Sequence, residues 1–266
     1  MRITTQVFSL PKAGNTPEEY EDACWPNRPL DLTAGAFRAA VADGATESSF
    51  AGLWAGMLVH SYCKGNLRVD SADSLQKTLK PLQTEWMKCI NNRPYPWYVA
   101  EKLRMGAFAA LVGLTVRPYG SGRSGGWWHA VASGDCCLFQ IRRGHPIVSF
   151  PLDDSIHIDE RPILISSNAA NNEDLLGNTY REEGQWEPGD VFYLMSDALA
   201  FWFLRKIESG WCWPWHDLPG SGVFDRVNCE SNDPTDSATF DRFISELRAS
   251  GDLRNDDVTL LTLRVE

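Results

Sequence analysis

The hydrophobic pattern changes at the pair Asp43-Gly44, where an apolar stretch through Val41 stops and a different spacing begins. From Phe50 to Leu58, apolar residues recur three and four positions apart. Because such residues share one helix face, the spacing predicts a helix over 48–62 that follows directly on a strand. The same spacing predicts helices over 71–90, 198–207 and 235–250, and a shorter one near 98–103. Because proline lacks a backbone N–H, we expect Pro81 to kink or break the second helix.

Extended patterns occupy the beginning, the middle and the end of the chain. Strands are predicted over 2–9, 21–25, 36–41, 107–116, 127–133, 136–141, 147–150, 190–195 and 258–265. Consecutive strands without intervening helices are typical of an antiparallel meander, so we expect an α+β protein. Residues 151–189 are polar and show little periodicity, which indicates a long insertion or subdomain.

The composition limits the kinds of partner. The 266 residues are 43% hydrophobic, and 35 acidic against 25 basic residues give a formal net charge of −10. Binders of nucleic acid or of anionic membranes need a basic surface, so neither partner is expected, whereas cation binding is compatible with this charge. Seven scattered cysteines without a Cys-x-x-Cys pair favour reduced thiols. With no signal-peptide pattern and no membrane-length apolar run, a cytoplasmic protein is predicted.

Five aspartates lie at or beside predicted strand ends: Asp22, Asp43, Asp135, Asp197 and Asp256. Carboxylates at the ends of several strands of one sheet would meet at one edge, where a divalent cation is the usual compensation for their repulsion. Oxygen ligands select magnesium, manganese or calcium rather than zinc or copper. Taken singly, each aspartate is better explained as a turn or helix-cap residue. The set of five favours a metal site.

Short motifs surround these aspartates in a characteristic order. They are Glu21-Asp22-Ala23, Val41-Ala42-Asp43-Gly44, Gly106-Ala107-Phe108-Ala109, Gly134-Asp135-Cys136, Ser196-Asp197-Ala198 and Asp256-Asp257. Over essentially the whole chain, this order resembles the metal-dependent type 2C protein phosphatases (the PPM family). The resemblance implies a four-layer α-β-β-α sandwich with a central antiparallel β-sandwich. It also implies a single domain, residues 1–266, with a variable flap at 151–189.

The resemblance assigns roles to individual residues of the predicted site. It implies catalytic roles for Asp22 and Asp43, and metal ligands or ligands through bound water at Asp22, Asp43, Gly44 (through its carbonyl), Asp135, Asp197 and Asp256. The implied cofactors are two manganese or magnesium ions, with Asp135 as the candidate ligand of a third. The implied activity is hydrolysis of phosphoserine or phosphothreonine in a phosphorylated protein by a metal-activated water.

The chain departs from the family pattern in ways that leave the function open. The phosphate-gripping arginine upstream of Glu21 is absent, and Lys12 is the nearest base. Asp257 replaces the usual asparagine, a change that either tightens metal binding or has no role. The missing arginine, with the tryptophan-rich segment 211–215, makes an inactive pseudophosphatase that binds partner proteins the alternative, although the tryptophans equally fit core packing. A nuclease is a third possibility, which the negative charge disfavours.

Overall fold

Two antiparallel sheets form the centre of the protein. The computed structural model describes residues 1–46, 48–69, 71–91, 102–120, 122–158, 162–210, 218 and 234–266. Sheet one has the order β3-β1-β12-β11-β7-β8, with β1 (Arg2–Leu10), β3 (Leu30–Thr33), β7 (Cys137–Arg142), β8 (His145–Phe150), β11 (Val191–Met195) and β12 (Val258–Val265). Sheet two has the order β10-β6-β5-β4-β2, with β2 (Ala23–Trp25), β4 (Phe37–Gly44), β5 (Phe108–Pro118), β6 (Gly126–Ser133) and β10 (Tyr180–Trp186); β9 (Ile165–Ser166) also pairs with β5.

Helices cover the outer faces of both sheets. The described helices include α1 (Ala51–Cys63), α2 (Ala72–Ile90), α3 (Asp197–Glu208) and α4 (Pro234–Ser250), with short 3-10 turns at Pro17–Glu19, Ala169–Asn171 and Asp174–Gly177. The first pair packs on sheet two through buried residues such as Trp54, Leu79 and Trp86. The second pair packs on sheet one, where Phe203 and Phe240 belong to the buried cluster.

A third apolar cluster lies between the two sheets. It contains Ile3, Val41, Val112, Leu194 and Leu261, all completely buried. Each strand in this region therefore presents one face to the other sheet and one to a helix pair, which explains why β4, β5 and β11 are nearly continuous apolar runs. The predicted α+β, four-layer α-β-β-α sandwich is confirmed.

Some local features differ from the sequence prediction. β3 was not predicted, and the polar stretch 151–189 contains β9 and β10, which both belong to sheet two. Helix α2 continues through Pro81 without a break. Pro81 is exposed, so water can hydrate the Lys77 carbonyl that loses its partner.

Two sequence predictions concern segments outside the described residues. The helix predicted near 98–103 falls largely within 92–101, and only 102–105 are described, as helical. The tryptophan-rich segment 211–215 also lies outside. None of the helices in the described ranges is long and apolar enough to cross a membrane.

Candidate metal centre

The two aspartates of sheet two lie where neighbouring strands of that sheet begin or end, on the same side of the sheet. Asp43 is the penultimate residue of β4 and is paired with Ala110 near the start of β5. Asp22 immediately precedes β2, whose first residue, Ala23, is paired with Ala42. The two carboxylates therefore come from neighbouring strands at the same level of the sheet.

The three aspartates of sheet one lie next to the ends of three neighbouring inner strands, β12, β11 and β7. Met195, at the end of β11, is paired both with Cys137 at the start of β7 and with Leu260 near the start of β12. Asp197 follows β11, Asp135 precedes β7 and Asp256 precedes β12. The predicted strand-end positions are thus seen for all five aspartates.

Electrostatic interactions show that carboxylates from both sheets are close together. Burial raises the pKa of Asp22 to about 8, and the negative charge of Asp197 acts in the same direction. The pKa of Asp43 is raised by burial and by the charges of Asp22, Asp197 and Asp135. A side-chain hydrogen bond joins Asp43 to Asp197, whose own pKa is raised by burial and, less strongly, by Asp256. The junction of the two sheets is therefore a concentrated acidic site.

A hydroxyl group on β12 holds the Asp22 carboxylate in position. The Thr259 hydroxyl donates to Asp22 Oδ2 at 2.7 Å, and the Tyr20 hydroxyl contacts the same threonine oxygen. Asp22 is only 6% exposed, and its Oδ1 atom is buried without a hydrogen-bond partner among the described residues. A buried carboxylate oxygen without a partner is costly, and a cation or an ordered water would satisfy it.

Gly44 allows the two parts of the sheet-two edge to approach. A Cβ atom on Gly44 would lie 2.6 Å from the Glu21 carbonyl oxygen and 2.8 Å from the Ala51 carbonyl carbon. Backbone from the Glu21-Asp22 motif and from the start of α1 therefore packs directly on the glycine. This contact sets the position of Asp22 relative to Asp43; a role for the Gly44 carbonyl as a ligand stays a prediction.

Asp256 and Asp257 have different surroundings. The Asp256 side chain is 38% exposed, and its Oδ1 lies 3.8 Å from Lys12 Nζ. Asp257 is buried and accepts the backbone N–H groups of Lys12 at 2.8 Å and Glu21 at 2.7 Å. The family resemblance left two possibilities for Asp257, tighter metal binding or no role. Its contacts show a structural role, because it connects the segments of Lys12 and Glu21 to the start of β12.

Arg254 and Thr259 belong to the site, and neither was predicted from the sequence. The Arg254 Nη2 atom forms an ion pair with Asp197 Oδ2, and the positive charge lowers the pKa of Asp197 against the effect of burial. Across the described ranges, no group of three or more His, Cys, Asp or Glu side chains is arranged so that it could hold a metal ion as it stands. The donor set nevertheless fits a hard divalent cation, because it consists of carboxylates and includes the unpartnered Asp22 oxygen.

Comparisons with known proteins agree with this arrangement at the level of the fold. No model of a known protein family matches the chain, and no curated protein matches it. Among solved structures, the Mycobacterium tuberculosis serine/threonine phosphatase PstP/Ppp superposes with a TM-score of 0.52 and 14% identity, over 100% of both chains. This chain has the fold of this serine/threonine phosphatase.

Two further structures share this phosphatase fold with the chain. A bacterial serine phosphatase superposes with a TM-score of 0.54 and 11% identity, over 98% of this chain and 97% of that one. RsbX in complex with magnesium superposes with a TM-score of 0.50 and 15% identity, over 100% of this chain and 96% of that one. At these identities the likeness concerns the fold, and the activity has to be argued from the site.

Proposed function

We propose that this chain is a metal-dependent phosphatase that hydrolyses phosphoserine or phosphothreonine in proteins. The observation that supports this most is the convergence of Asp22, Asp43, Asp135 and Asp197 where the two sheets meet. In a protein with the phosphatase fold, this is the position at which a hard divalent cation would neutralise the cluster. Magnesium or manganese is proposed, in two sites with a third involving Asp135; magnesium is present in the RsbX structure.

Individual residues would divide the work of the site. Asp43, Asp197, Asp256 and the Gly44 carbonyl would hold the ions, and Asp22, fixed by Thr259, would orient a water molecule beside them. Bound divalent cations supply a water of lowered pKa and neutralise charge on phosphoryl oxygens. Lys12 Nζ, beside Asp256 and 3.0 Å from Thr46 Oγ1, adds a positive charge at the rim for an anionic substrate.

The domain organisation and location are part of the same proposal. We propose one domain, residues 1–266, acting in the cytoplasm on a phosphorylated protein. Residues 151–189 would influence substrate choice as a variable flap. The strands β9 and β10 attach this segment to sheet two, so its remaining parts would be the variable ones.

Hydrolysis by carboxylate variants tests the proposal. With p-nitrophenyl phosphate or a phosphopeptide and added manganese, we expect Asp43→Asn and Asp197→Asn each to lower turnover by at least about a hundredfold, as for loss of one transition-state contact. Both variants should fold, because asparagine keeps the side-chain shape and an acceptor oxygen, which at position 197 can still accept from Arg254, and removes one of several mutually repelling carboxylate charges. Asp73→Asn is the matched control, since Asp73 is 73% exposed on α2 and pairs only at the surface with Lys77.

Two results would contradict the phosphatase proposal. Unchanged metal-dependent turnover in both variants would exclude these carboxylates, and turnover that persists in a chelator would exclude the metal. The ion pair between Arg254 and Asp197 favours the second candidate, a pseudophosphatase that acts as a partner-binding module. A wild-type protein that neither binds manganese by calorimetry nor hydrolyses phosphate esters would support that alternative.

A further inference from the structure

Arg254 places a positive charge of the chain itself against the predicted metal ligand Asp197. The arginine lies in the loop between α4 and β12, and its side chain is 30% exposed. Asp197 is 14% exposed and also hydrogen-bonded to Asp43. The carboxylate that would bind a divalent ion is therefore already engaged with a cation.

The neighbouring bases have other partners within the described part of the chain. Arg248 donates from Nη1 to the Pro11 carbonyl at 3.0 Å and from Nη2 to the Asp256 carbonyl at 2.5 Å. Lys12 lies beside Asp256 and Thr46. Arg248 thus fixes the backbone of the loop, whereas the Arg254 guanidinium contacts the carboxylate cluster itself.

A guanidinium on Asp197 Oδ2 makes this carboxylate a weaker ligand for a divalent metal, because it already neutralises part of the carboxylate charge. Two cations close together in a partly buried site also repel each other strongly, so binding of the metal disfavours the position of the guanidinium. The exposed fraction of Arg254 leaves a path for its side chain to turn towards solvent. Exchange of one cation for the other would therefore proceed through movement of this side chain.

We propose that Arg254 is an internal counter-cation that occupies Asp197 in the metal-free protein and is displaced when a divalent metal binds. The inference rests on the proposed function, because it requires Asp197 to be a metal ligand. It gives this chain a weaker metal affinity than its carboxylates alone would provide. It also explains how the acidic cluster is tolerated before metal arrives, since the guanidinium offsets part of the repulsion.

Manganese binding to arginine variants tests the competition directly. Free Mn²⁺ is measured by its electron paramagnetic resonance signal during titration of wild-type protein, Arg254→Ala, Arg254→Lys and Arg143→Ala. We expect Arg254→Ala to lower the Kd for manganese by roughly fivefold or more, with Arg254→Lys between it and wild type. Arg143→Ala is the matched control, and its Kd for manganese should equal that of wild type. Arg143 lies on the turn between β7 and β8, at the end of β7 opposite to Asp135, and it pairs with Glu187.

Thermal unfolding gives a readout that does not involve activity or affinity. Without metal, Arg254→Ala should unfold at a lower temperature than wild type, because the carboxylates lose their counter-charge. With saturating manganese the difference should disappear or reverse. A variant that is equally destabilised in both conditions would show that Arg254 only supports the structure.

The remaining outcomes separate this inference from the proposed function. If wild-type protein and Arg254→Ala bind manganese equally, or the variant binds it more weakly, the competition is refuted. Loss of binding in Asp43→Asn would then leave the metal-dependent proposal standing. If neither wild-type protein nor Arg254→Ala binds manganese, the metal-dependent function and the competition both fail.

Discussion

Replacing Gly44 by alanine should destabilise the protein through backbone crowding. The added Cβ would lie 2.6 Å from the Glu21 oxygen, 2.8 Å from the Ala51 carbonyl carbon and 2.9 Å from Ala51 Cβ. Two of these three atoms belong to the backbone, so relief requires moving a strand end against the start of α1. Overpacking of this kind costs about 1–3 kcal/mol of unfolding free energy.

Gly56→Ala is the matched control, because it makes the same chemical change five residues into the neighbouring helix. A Cβ on Gly56 meets nothing within 4 Å, and the residue lies inside α1. Alanine is about 1 kcal/mol more favourable than glycine in a helix interior, so this variant should be more stable than wild type. The two alanine variants should therefore differ by about 2–4 kcal/mol.

Urea unfolding followed by circular dichroism measures both free energies by linear extrapolation. Metal titration of the same samples adds a second readout. Gly44→Ala shifts the Glu21-Asp22 backbone away from Asp43, so its manganese affinity should fall while that of Gly56→Ala stays at the wild-type value. Equal stability of the two variants would refute the argument that the glycine is needed for close backbone approach.

Three further predictions concern pH, a buried ion pair and a helix cap. The pKa of Asp22 is about 8 in the folded protein against an ordinary 3.8, so the protonated form is favoured by folding. Its stabilising contribution is complete below pH 4 and is lost as pH rises through 8. Urea unfolding in a chelator should therefore show falling stability from pH 5 to pH 8, and a flat profile would exclude this. Asp190→Ala should cost about 3–5 kcal/mol in urea unfolding, because the buried carboxylate accepts from Arg142 and from Gln140 at 2.7 Å; a loss below 1 kcal/mol would contradict it. Ser71→Ala should lower the melting temperature by the equivalent of about 1 kcal/mol, since its hydroxyl caps α2 by accepting from the Ser74 N–H. An unchanged melting temperature would show that solvent replaces this cap.

The sequence predicted the long elements because their burial is one-sided or complete. Leu75, Leu79 and Trp86 form a helical stripe and are fully buried on α2. The strand β10 was missed because Tyr180–Trp186 is an edge strand that is largely exposed, so its side chains carry no alternation of apolar and polar residues. The strand β3 spans only four residues, too few for a periodic signal.

The acidic site was predictable where its residues lie at strand ends, and not where its contacts are tertiary. Asp43 and Asp197 each follow an apolar run that ends at a turn or helix, which is a local signal. Arg254 has no such signal, because only the folding of the loop before β12 brings it to Asp197, 57 residues earlier in the chain. The buried acceptor role of Asp257 likewise depends on segments more than 230 residues away in sequence.

The central position of β12 determines when the two halves of the molecule can be completed during synthesis on the ribosome. The strands of sheet two all end by Trp186, so that sheet can assemble while the rest of the chain is still being translated. Sheet one lacks the strand between β1 and β11 until residues 258–265 emerge. Pairing of Ile3 with Val265 closes almost the whole chain, and such distant contacts form slowly. Asp22 and Asp43 can therefore come together early on sheet two, whereas Asp256 joins them only when β12 completes sheet one.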